Sequence, residues 1–306
     1  ILPMPLIERP EESIDQFVRW IDLGSIEFNE LRGEIAETQT PLVTIPLSDR
    51  LLHASTPSAN VILQGIIDHL TSRPEVLGVY LVVEKAPDSY ERITSANVAC
   101  SIFHMTHMLG IVRGLKVFVN FTEQLGLFAL AAGASAFGSG YETKAQRCCL
   151  MDFVQRGGGG GLPHFYSLAT LCDYLPKRDI LEKLVPKRLL YIFTEDENPA
   201  SASLFSALRA DPAQRRLPPN WAEEINNVQA SQDHYIQIMT GATEKLIELS
   251  SHSEKAQRAL TWLQRAEQNA TYLNSRFEDD PLSDSGVHTR VWRQAFEQYL
   301  EEFDIL

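Results

Sequence analysis

With 306 residues and a mass of 34.4 kDa, the chain is long enough for one large α/β domain with an appendage, or for two domains. Its residues are 44% hydrophobic and 22% charged, an ordinary globular composition that excludes wholesale disorder. The net charge of −13 works against binding to a polyanion, so a nucleic-acid partner is not expected.

The sequence also bears on the membrane and on the compartment. No run approaches the roughly 18 uninterrupted apolar residues of a membrane span, so no membrane partner is expected. Four cysteines, two of them adjacent at Cys148 and Cys149, do not have the pattern of a disulfide framework, and a reducing, cytoplasmic setting follows. Because the chain begins with Ile1, we expect sequence to be missing before it, and nothing there resembles a signal peptide.

The first part of the chain predicts a helix followed by an edge strand and a second helix. Apolar residues recur with helical spacing over residues 11–21. The β-rich run LVTIPLSD ends at Asp49, and Pro46 within it is typical of an edge or bulged strand. Residues 58–70 then form a predicted amphipathic helix that buries Val61 together with three isoleucines.

The next segments repeat a strand-then-helix pattern. Residues 78–84, GVYLVVE, form a continuous apolar run of the kind found in strands buried on both faces of a parallel sheet. A predicted helix (96–109) and a predicted strand (116–121) follow. Each strand ends on a carboxylate, and Asp49, Glu84 and Glu123 recur at similar intervals, which predicts successive β/α units.

After the turn at Glu123, a helix rich in alanine, leucine and glycine leads into another short strand and a Gly-Ser-Gly turn. This segment, AAGASAFGSG at residues 131–140, resembles the late strand of phosphate-binding β/α barrels. The resemblance implies that Gly138, Ser139 and Gly140 present backbone N–H groups to a phosphate. The alternative is a tight turn whose glycines only solve a backbone problem, and both interpretations stay open.

The charged residues after this turn depart in part from the barrel pattern. Glu142 would oppose an anion bound there, whereas Lys144 and Arg147 would compensate for it. The five consecutive glycines at residues 157–161 predict a flexible hinge rather than a phosphate cradle, because no Lys-Ser or Lys-Thr follows as in a P-loop.

The polar residues that follow the strands are the candidate site. In a parallel sheet the loops after strand ends share one edge, so Asp49, Glu84, Asn120, Glu123, Ser139 and Glu142 are expected to converge. Carboxylates around one cavity form an acid/base pair or recruit a hard cation, which makes Mg²⁺ a possible cofactor. The competing interpretation is that these residues cap the helices that follow the strands.

Histidines supply one further candidate. His164 follows the glycine run beside two aromatic residues and is a candidate catalytic residue on a mobile loop. His104 and His107 lie three residues apart in a predicted helix, and the methionines beside them favour packing.

The second half of the chain reads as mostly helical. Residues 162–175 predict a short strand and a helix that complete the α/β part, and residues 188–193 predict either a strand or a helix end. Pro-rich, linker-like segments follow, and three helical stretches then run over 221–249, 253–276 and 287–303. A small helical bundle is favoured over a partner-binding coiled coil.

These patterns predict an α/β fold: a barrel-like β/α-repeat domain over residues 1–200 and a helical C-terminal domain over 201–306. The leading hypothesis is an enzyme that acts on a phosphorylated or nucleotide-like substrate through carboxylates at strand ends. The alternative is a non-catalytic scaffold subunit that binds protein partners, or a second copy of itself, through its C-terminal helices.

Overall fold

The computed structural model describes residues 14–31, 42–85, 92–141, 146, 148–149 and 161–306. The chain divides into two compact units. Unit 1 comprises Ile1–Arg156, Ser251–Ala256 and Gln294–Leu306, and unit 2 comprises Gly157–Ser250 and Gln257–Arg293.

Unit 1 is built on a parallel sheet whose strands follow one another in chain order. Its strands are β1 (Val43–Ser48), β2 (Gly78–Glu84), β3 (Lys116–Asn120) and β4 (Ala136–Gly138). All neighbouring pairs are parallel, which confirms the α/β class and the β/α repeats. The described residues do not include a complete eight-stranded barrel.

Helices separate these strands, as the alternating pattern predicts. They are α1 (Asp15–Leu31), α2 (Asp49–His53), α3 (Val61–Thr71), α4 (Ala96–Thr106) and α5 (Leu125–Ala131). A 3₁₀ turn, Pro57–Ala59, precedes α3, and α4 continues into a π-helical segment, His107–Val112.

Side-chain caps define where these helices begin. Ser48 is the N-cap of α2, and its hydroxyl accepts a hydrogen bond from the amide of Arg50 at 3.1 Å. At the start of α3, the Asn60 side chain accepts from the amide of Leu63 at 3.1 Å and donates to the carbonyl of Leu51 at 3.0 Å. Each cap satisfies an amide that the helix itself leaves without a partner.

The prediction that Val61 lies on the buried side of α3 is wrong, because its side chain is 83% exposed. The buried stripe runs through Ile62, Ile66 and Leu70. At about 100° per residue, Val61 lies about 140° around the helix axis from Ile66 and falls outside that stripe.

Unit 2 contains a β-hairpin where a strand and a helix were expected. Strands β5 (Phe165–Ser167) and β6 (Cys172–Tyr174) pair antiparallel, so the prediction for residues 162–175 is wrong in its second half. Leu171, in the turn, has a positive φ of 55°. The turn and β6 occupy the second half of the segment, where the helix was expected.

The segment at residues 188–193 is helical rather than a strand. It belongs to a 3₁₀ helix, Leu190–Asp196, which follows a π-helix, Pro176–Leu184. Leu189, Ile192 and Phe193 are its buried residues, and their spacing of three and four places them on one helical face.

The remaining helices complete the two units. They are α6 (Ala202–Arg209), α7 (Gln229–Ile247), α8 (His252–Arg276) and α9 (Val287–Glu302), and α8 and α9 contribute residues to both units. The core of unit 2 includes Phe165, whose ring lies 5.7 Å from Phe205 and 6.3 Å from Trp221. Across the described residues, every helix is too short or too polar to cross a bilayer.

Candidate functional site

The carboxyl edge of the sheet gathers most of the predicted site residues and divides them between two faces. In the register, Val82 lies beside Asn120, and Asn120 beside Gly138. Since side chains alternate along a strand, Glu84 lies on the same face as Asn120, whereas Lys85 lies on the opposite face. We call the side that carries Lys85 the covered face and the other the Asn120 face.

A buried ion pair dominates the covered face. The ammonium group of Lys85 contacts Oε1 of Glu123, and the two side chains are only 3% and 5% exposed. The second carboxylate oxygen of Glu123 accepts from the amide of Ile93 at 3.2 Å. The amide of Lys85 donates to the carbonyl of Cys148 at 2.7 Å, which ties the pair to the segment after β4. Removing either charge would leave the other buried without compensation.

The backbone that carries Glu123 has an unusual conformation. Glu123 has a φ of 55° and Phe121 a φ of 59°, both in the left-handed region that non-glycine residues rarely adopt. The amide of Glu123 donates to the carbonyl of Gln146 at 3.1 Å, which helps to hold this conformation. Such a backbone costs on the order of 1–3 kcal/mol per residue, and such strain clusters at functional sites.

Two buried polar atoms beside the ion pair have no hydrogen-bond partner among the described residues. They are the hydroxyl oxygen of Thr122 and the amide nitrogen of Gln124. The carbonyl oxygen of the same Gln124 amide contacts the guanidinium of Arg92. A buried donor without an acceptor costs about 1–3 kcal/mol, so these two groups are a local cost to the fold of this segment.

A cavity of about 70 Å³ opens on the covered face. It is lined by Asp49, Val83, Lys85, Arg92, Ile93, Thr94, Ser95 and Val98. A water molecule takes about 30 Å³ in the liquid, so the space fits one small oxyanion better than a whole nucleotide. Two cationic side chains, Lys85 and Arg92, and one carboxylate, Asp49, line it, and the ammonium group of Lys85 also contacts Glu123.

Asn120 is locked on the other face. Its side-chain nitrogen donates to the hydroxyl of Tyr80, and its side-chain oxygen accepts from the amide of Phe121 at 2.9 Å. A Cβ atom at Gly138 would overlap the side-chain oxygen of Asn120. Gly138 therefore makes room for Asn120, an explanation that does not require a bound phosphate. The partly exposed Ser139 and Gly140 follow directly, whereas Glu142, Lys144 and Arg147 lie outside the described residues.

Glu84 lies beside a cysteine that the sequence did not single out for chemistry. Glu84 and Cys148 are bridged as parallel neighbours at the end of β2. Burial, followed by the charge of Glu84 and the neighbouring Cys149, raises the pKa of the Cys148 thiol to about 11. Cys148 is thus held as an unreactive thiol at neutral pH.

The remaining candidates, Asp49 and His164, are not members of the ion pair. Asp49 is the first residue of α2 and lines the small cavity. His164 belongs to unit 2, where it directly precedes β5, and so is not among the residues that unit 1 gathers at its sheet edge. Residues 157–160 of the glycine run lie outside the described residues.

Sequence reasoning missed Lys85, Arg92 and Gln124. Lys85 directly follows the carboxylate that ends β2, and its one-residue offset places it on the opposite face. Arg92 and Gln124 carried no motif. Lys85 could have been found because it is a lysine directly after an apolar strand. A lysine buried at such a position needs an acidic partner.

A larger cavity, of about 330 Å³, lies in unit 2 between the π-helix and the loop after α8. Its Lys183 donates to the carbonyls of Asp280 and Pro281 at 3.2 and 2.8 Å, and its Lys187 contacts the carbonyl of Arg276. Both lysines therefore bind backbone at the end of α8, and we assign this cavity a structural role.

Comparison with known proteins gives no guide to the function. The chain matches no protein-family model, no curated protein and no solved structure.

Proposed function

We propose that unit 1 is an enzyme domain that binds the anionic group of a phosphorylated small molecule at the carboxyl edge of its sheet, with Glu123 and Lys85 as the acid/base pair. The observation that carries this proposal is the buried Lys85–Glu123 pair beside a small cavity that Lys85 and Arg92 line. Ionisable pairs in dry, strained surroundings are typical of catalytic groups, although structural pairs also occur.

Each group has a distinct role in this proposal. Arg92 and Lys85 supply positive charge that orients the phosphoryl oxygens. Gln124 positions Arg92, because its side-chain oxygen contacts the guanidinium group. Glu123 takes a proton from the substrate while Lys85 stabilises the charge that develops.

The size of the cavity favours a small phosphorylated compound over a nucleotide. Sites for whole ligands of drug size enclose roughly 300–1,000 Å³, and this cavity encloses about 70 Å³. It accepts one anionic head group, and the rest of the substrate would extend outside it.

The barrel-like architecture is part of the same proposal. Four parallel strands in sequential order are the arrangement of successive strands in a β/α-barrel wall. The exposed Phe118 lies on the Asn120 face, which would line the interior of such a barrel. An experimental structure in which β1 and β4 are joined through further strands would support the barrel, and an open four-stranded sheet would exclude it.

The proposal also includes a cytoplasmic setting and a reaction in which Lys85 serves as the cation. All four cysteines are buried, reduced thiols, which fits the cytoplasmic setting expected from the sequence. In the described part of the chain, no three His, Cys, Asp or Glu side chains come together in a way that could hold a metal ion. Lys85, rather than Mg²⁺, neutralises Glu123 in the proposed mechanism.

A thermal-shift experiment with inorganic phosphate and a panel of phosphorylated small molecules tests the proposal. A ligand at 100 times its Kd stabilises the protein by about 2.7 kcal/mol, or roughly 5–10 °C for a domain of this size. We expect this shift in the wild type and its loss in Arg92→Met. Arg73→Met is the matched control, because Arg73 pairs with Asp22 between α1 and α3 in the same unit. Equal shifts in both variants, or none in the wild type, would count against the proposal.

The scaffold hypothesis is a second candidate, supported by exposed apolar residues on α7. Ile236 and Ile247 are 57% and 66% exposed and lie three turns apart on one side of the helix. Deleting residues 221–306 is not a clean test, because residues 294–306 belong to unit 1. The double substitution Ile236→Ser and Ile247→Ser, followed by light scattering, tests it instead. A change from oligomer to monomer would support the scaffold.

A further inference from the structure

Three elements of unit 1 meet at one buried hydroxyl group, that of Tyr299 on α9. His107, in the π-helical segment after α4, places its Nδ1 at 3.0 Å from this hydroxyl. His252, the first residue of α8, places its Nε2 at the same distance. The tyrosine therefore bridges two imidazoles from separate parts of the chain.

The bridge requires both imidazoles to be uncharged, or only one of them to be protonated. A tyrosine hydroxyl has one proton to donate and lone pairs to accept, so it donates to one ring and accepts an N–H from the other. Burial raises the pKa of Tyr299, so the hydroxyl keeps its proton. A first proton can go to the ring that already donates. A second would remove the lone pair that accepts the tyrosine proton and would charge both rings.

The surroundings oppose that second proton. The ring centroids of His107 and His252 are 5.5 Å apart, and Phe303 stacks on His107 at 3.9 Å. Burial, together with the neighbouring His252 and His104, lowers the pKa of His107 to about 4, against an opposing effect of Glu302.

The other titratable groups around the bridge act more weakly or stay neutral. Burial and Lys255, on α8, lower the pKa of His252. Burial and the charge of Glu302 raise the pKa of Cys100, on α4, to about 12, so that its thiol remains neutral. Glu302 itself lies 3.2 Å from His104 Nδ1 and accepts a 2.6 Å hydrogen bond from Ser58.

We propose that His107, Tyr299 and His252 form a proton-sensitive clasp that holds residues 294–306 on α4 at neutral pH and releases them in acid. At neutral pH the bridge adds to the edge-on packing of Phe296 against Phe103, at 5.1 Å. In acid, His107 binds a proton more readily in the opened state than in the closed state, so protonation favours opening. For a pKa of about 4 when closed and 6.5 when open, the opening constant rises about 20-fold between pH 7 and pH 5.

Hydrogen–deuterium exchange on the full chain tests the clasp. Exchange rates of peptides within residues 294–306, corrected for the intrinsic effect of pH, are compared at pH 7 and pH 5. We expect about a 20-fold loss of protection in the wild type. The double variant His107→Asn and His252→Gln places uncharged amides at the two bonded ring positions, and we expect it to stay protected at both pH values. His53→Asn is the matched control, because His53 also bonds a hydroxyl, that of Ser95, but lies outside the bridge.

Two results would overturn the clasp. One is wild-type protection in residues 294–306 that changes no more with pH than protection in the rest of unit 1. The other is a pH response of wild-type size in the double variant. If the double variant does not fold, Tyr299→Phe decides the question, because it removes only the hydroxyl. We expect Tyr299→Phe to lose protection of residues 294–306 at pH 7, and protection equal to that of the wild type at pH 7 would reject the clasp.

Discussion

Variants of the Lys85–Glu123 pair test separately how the pair affects stability and how it affects phosphate binding. In Lys85→Met the Glu123 carboxylate keeps its hydrogen bond from the amide of Ile93 but loses the buried ammonium group that neutralises it. Breaking a buried ion pair by removing one partner costs about 3–5 kcal/mol, because the remaining charge has no water to replace the lost partner. At roughly 2–4 °C per kcal/mol, the melting temperature of unit 1 falls by about 6–20 °C.

The double variant Lys85→Met and Glu123→Gln removes both charges at once. The introduced glutamine side chain still accepts from the Ile93 amide through its carbonyl oxygen, while its amide nitrogen is left as one unpaired neutral donor. We expect this variant to be within about 2 kcal/mol of the wild type and therefore more stable than Lys85→Met. The phosphate-dependent thermal shift should nevertheless be absent, because Lys85, one of the two cations proposed to orient the phosphoryl oxygens, is gone.

Urea denaturation read by hydrogen exchange in unit 1 peptides measures these stabilities without a contribution from unit 2. Together with Glu123→Gln, the variants close a double-mutant cycle that isolates the coupling between the two charges. A double variant as unstable as Lys85→Met would refute the reasoning about the unpaired charge. A double variant that still binds phosphate like the wild type would show that the pair is purely structural.

Three further predictions follow from single contacts. In unit 2, burial lowers the pKa of His234 to about 4 and raises that of Asp196 to about 7. Protonation of His234 therefore lowers the free energy of unfolding as the pH falls from about 6.5 to 4. Ionisation of Asp196 lowers it as the pH rises from about 4 to 7, so the two effects oppose each other. Asp196→Asn removes the titration of Asp196 and leaves that of His234. We therefore expect the free energy of unfolding of the variant, relative to that of the wild type, to rise by about 3 kcal/mol from pH 4 to pH 6.5. A difference between the two proteins that does not change with pH would contradict this. Asn60→Ala should cost about 1–2 kcal/mol in urea denaturation, since both the cap on Leu63 and the bond to Leu51 are lost, and a cost below a few tenths would exclude the capping role. Gly138→Ala should displace the Asn120 side chain and cost about 1–3 kcal/mol, and a crystal structure with Asn120 unmoved would disprove the close approach.

The strands of unit 1 were predictable because strand burial leaves a strong local signal. The prediction for β2 matches the structure at both ends, since a strand buried on both faces must be apolar at nearly every position. The hairpin at β5 and β6 was missed for the opposite reason: each strand has only three residues, too few for a periodic pattern to differ from a helical turn.

The sequence predicted where the candidate site lies but not which residues form it. The β/α repeat places Asp49, Glu84 and Glu123 at or after the ends of β1, β2 and β3. The buried partner of Glu123 depends on tertiary contacts, because Lys85 is 38 residues away in sequence. Arg92 carries no motif in the sequence. No local pattern encodes the left-handed backbone at Phe121 and Glu123 either, since neither residue is glycine or asparagine.

The two faces of the sheet edge could nevertheless have been predicted from the alternating side-chain directions in β3. In KVFVN the buried residues are Val117 and Val119, so Asn120 must lie on the opposite face from the covered one. The register of β2 then assigns Glu84 to the Asn120 face and Lys85 to the covered face. A carboxylate in the last position of a strand and a residue one step later therefore cannot serve the same cavity. Convergence at a sheet edge has to be argued face by face, and that argument selects Lys85 and Glu123 over Glu84 as the pair that can act together.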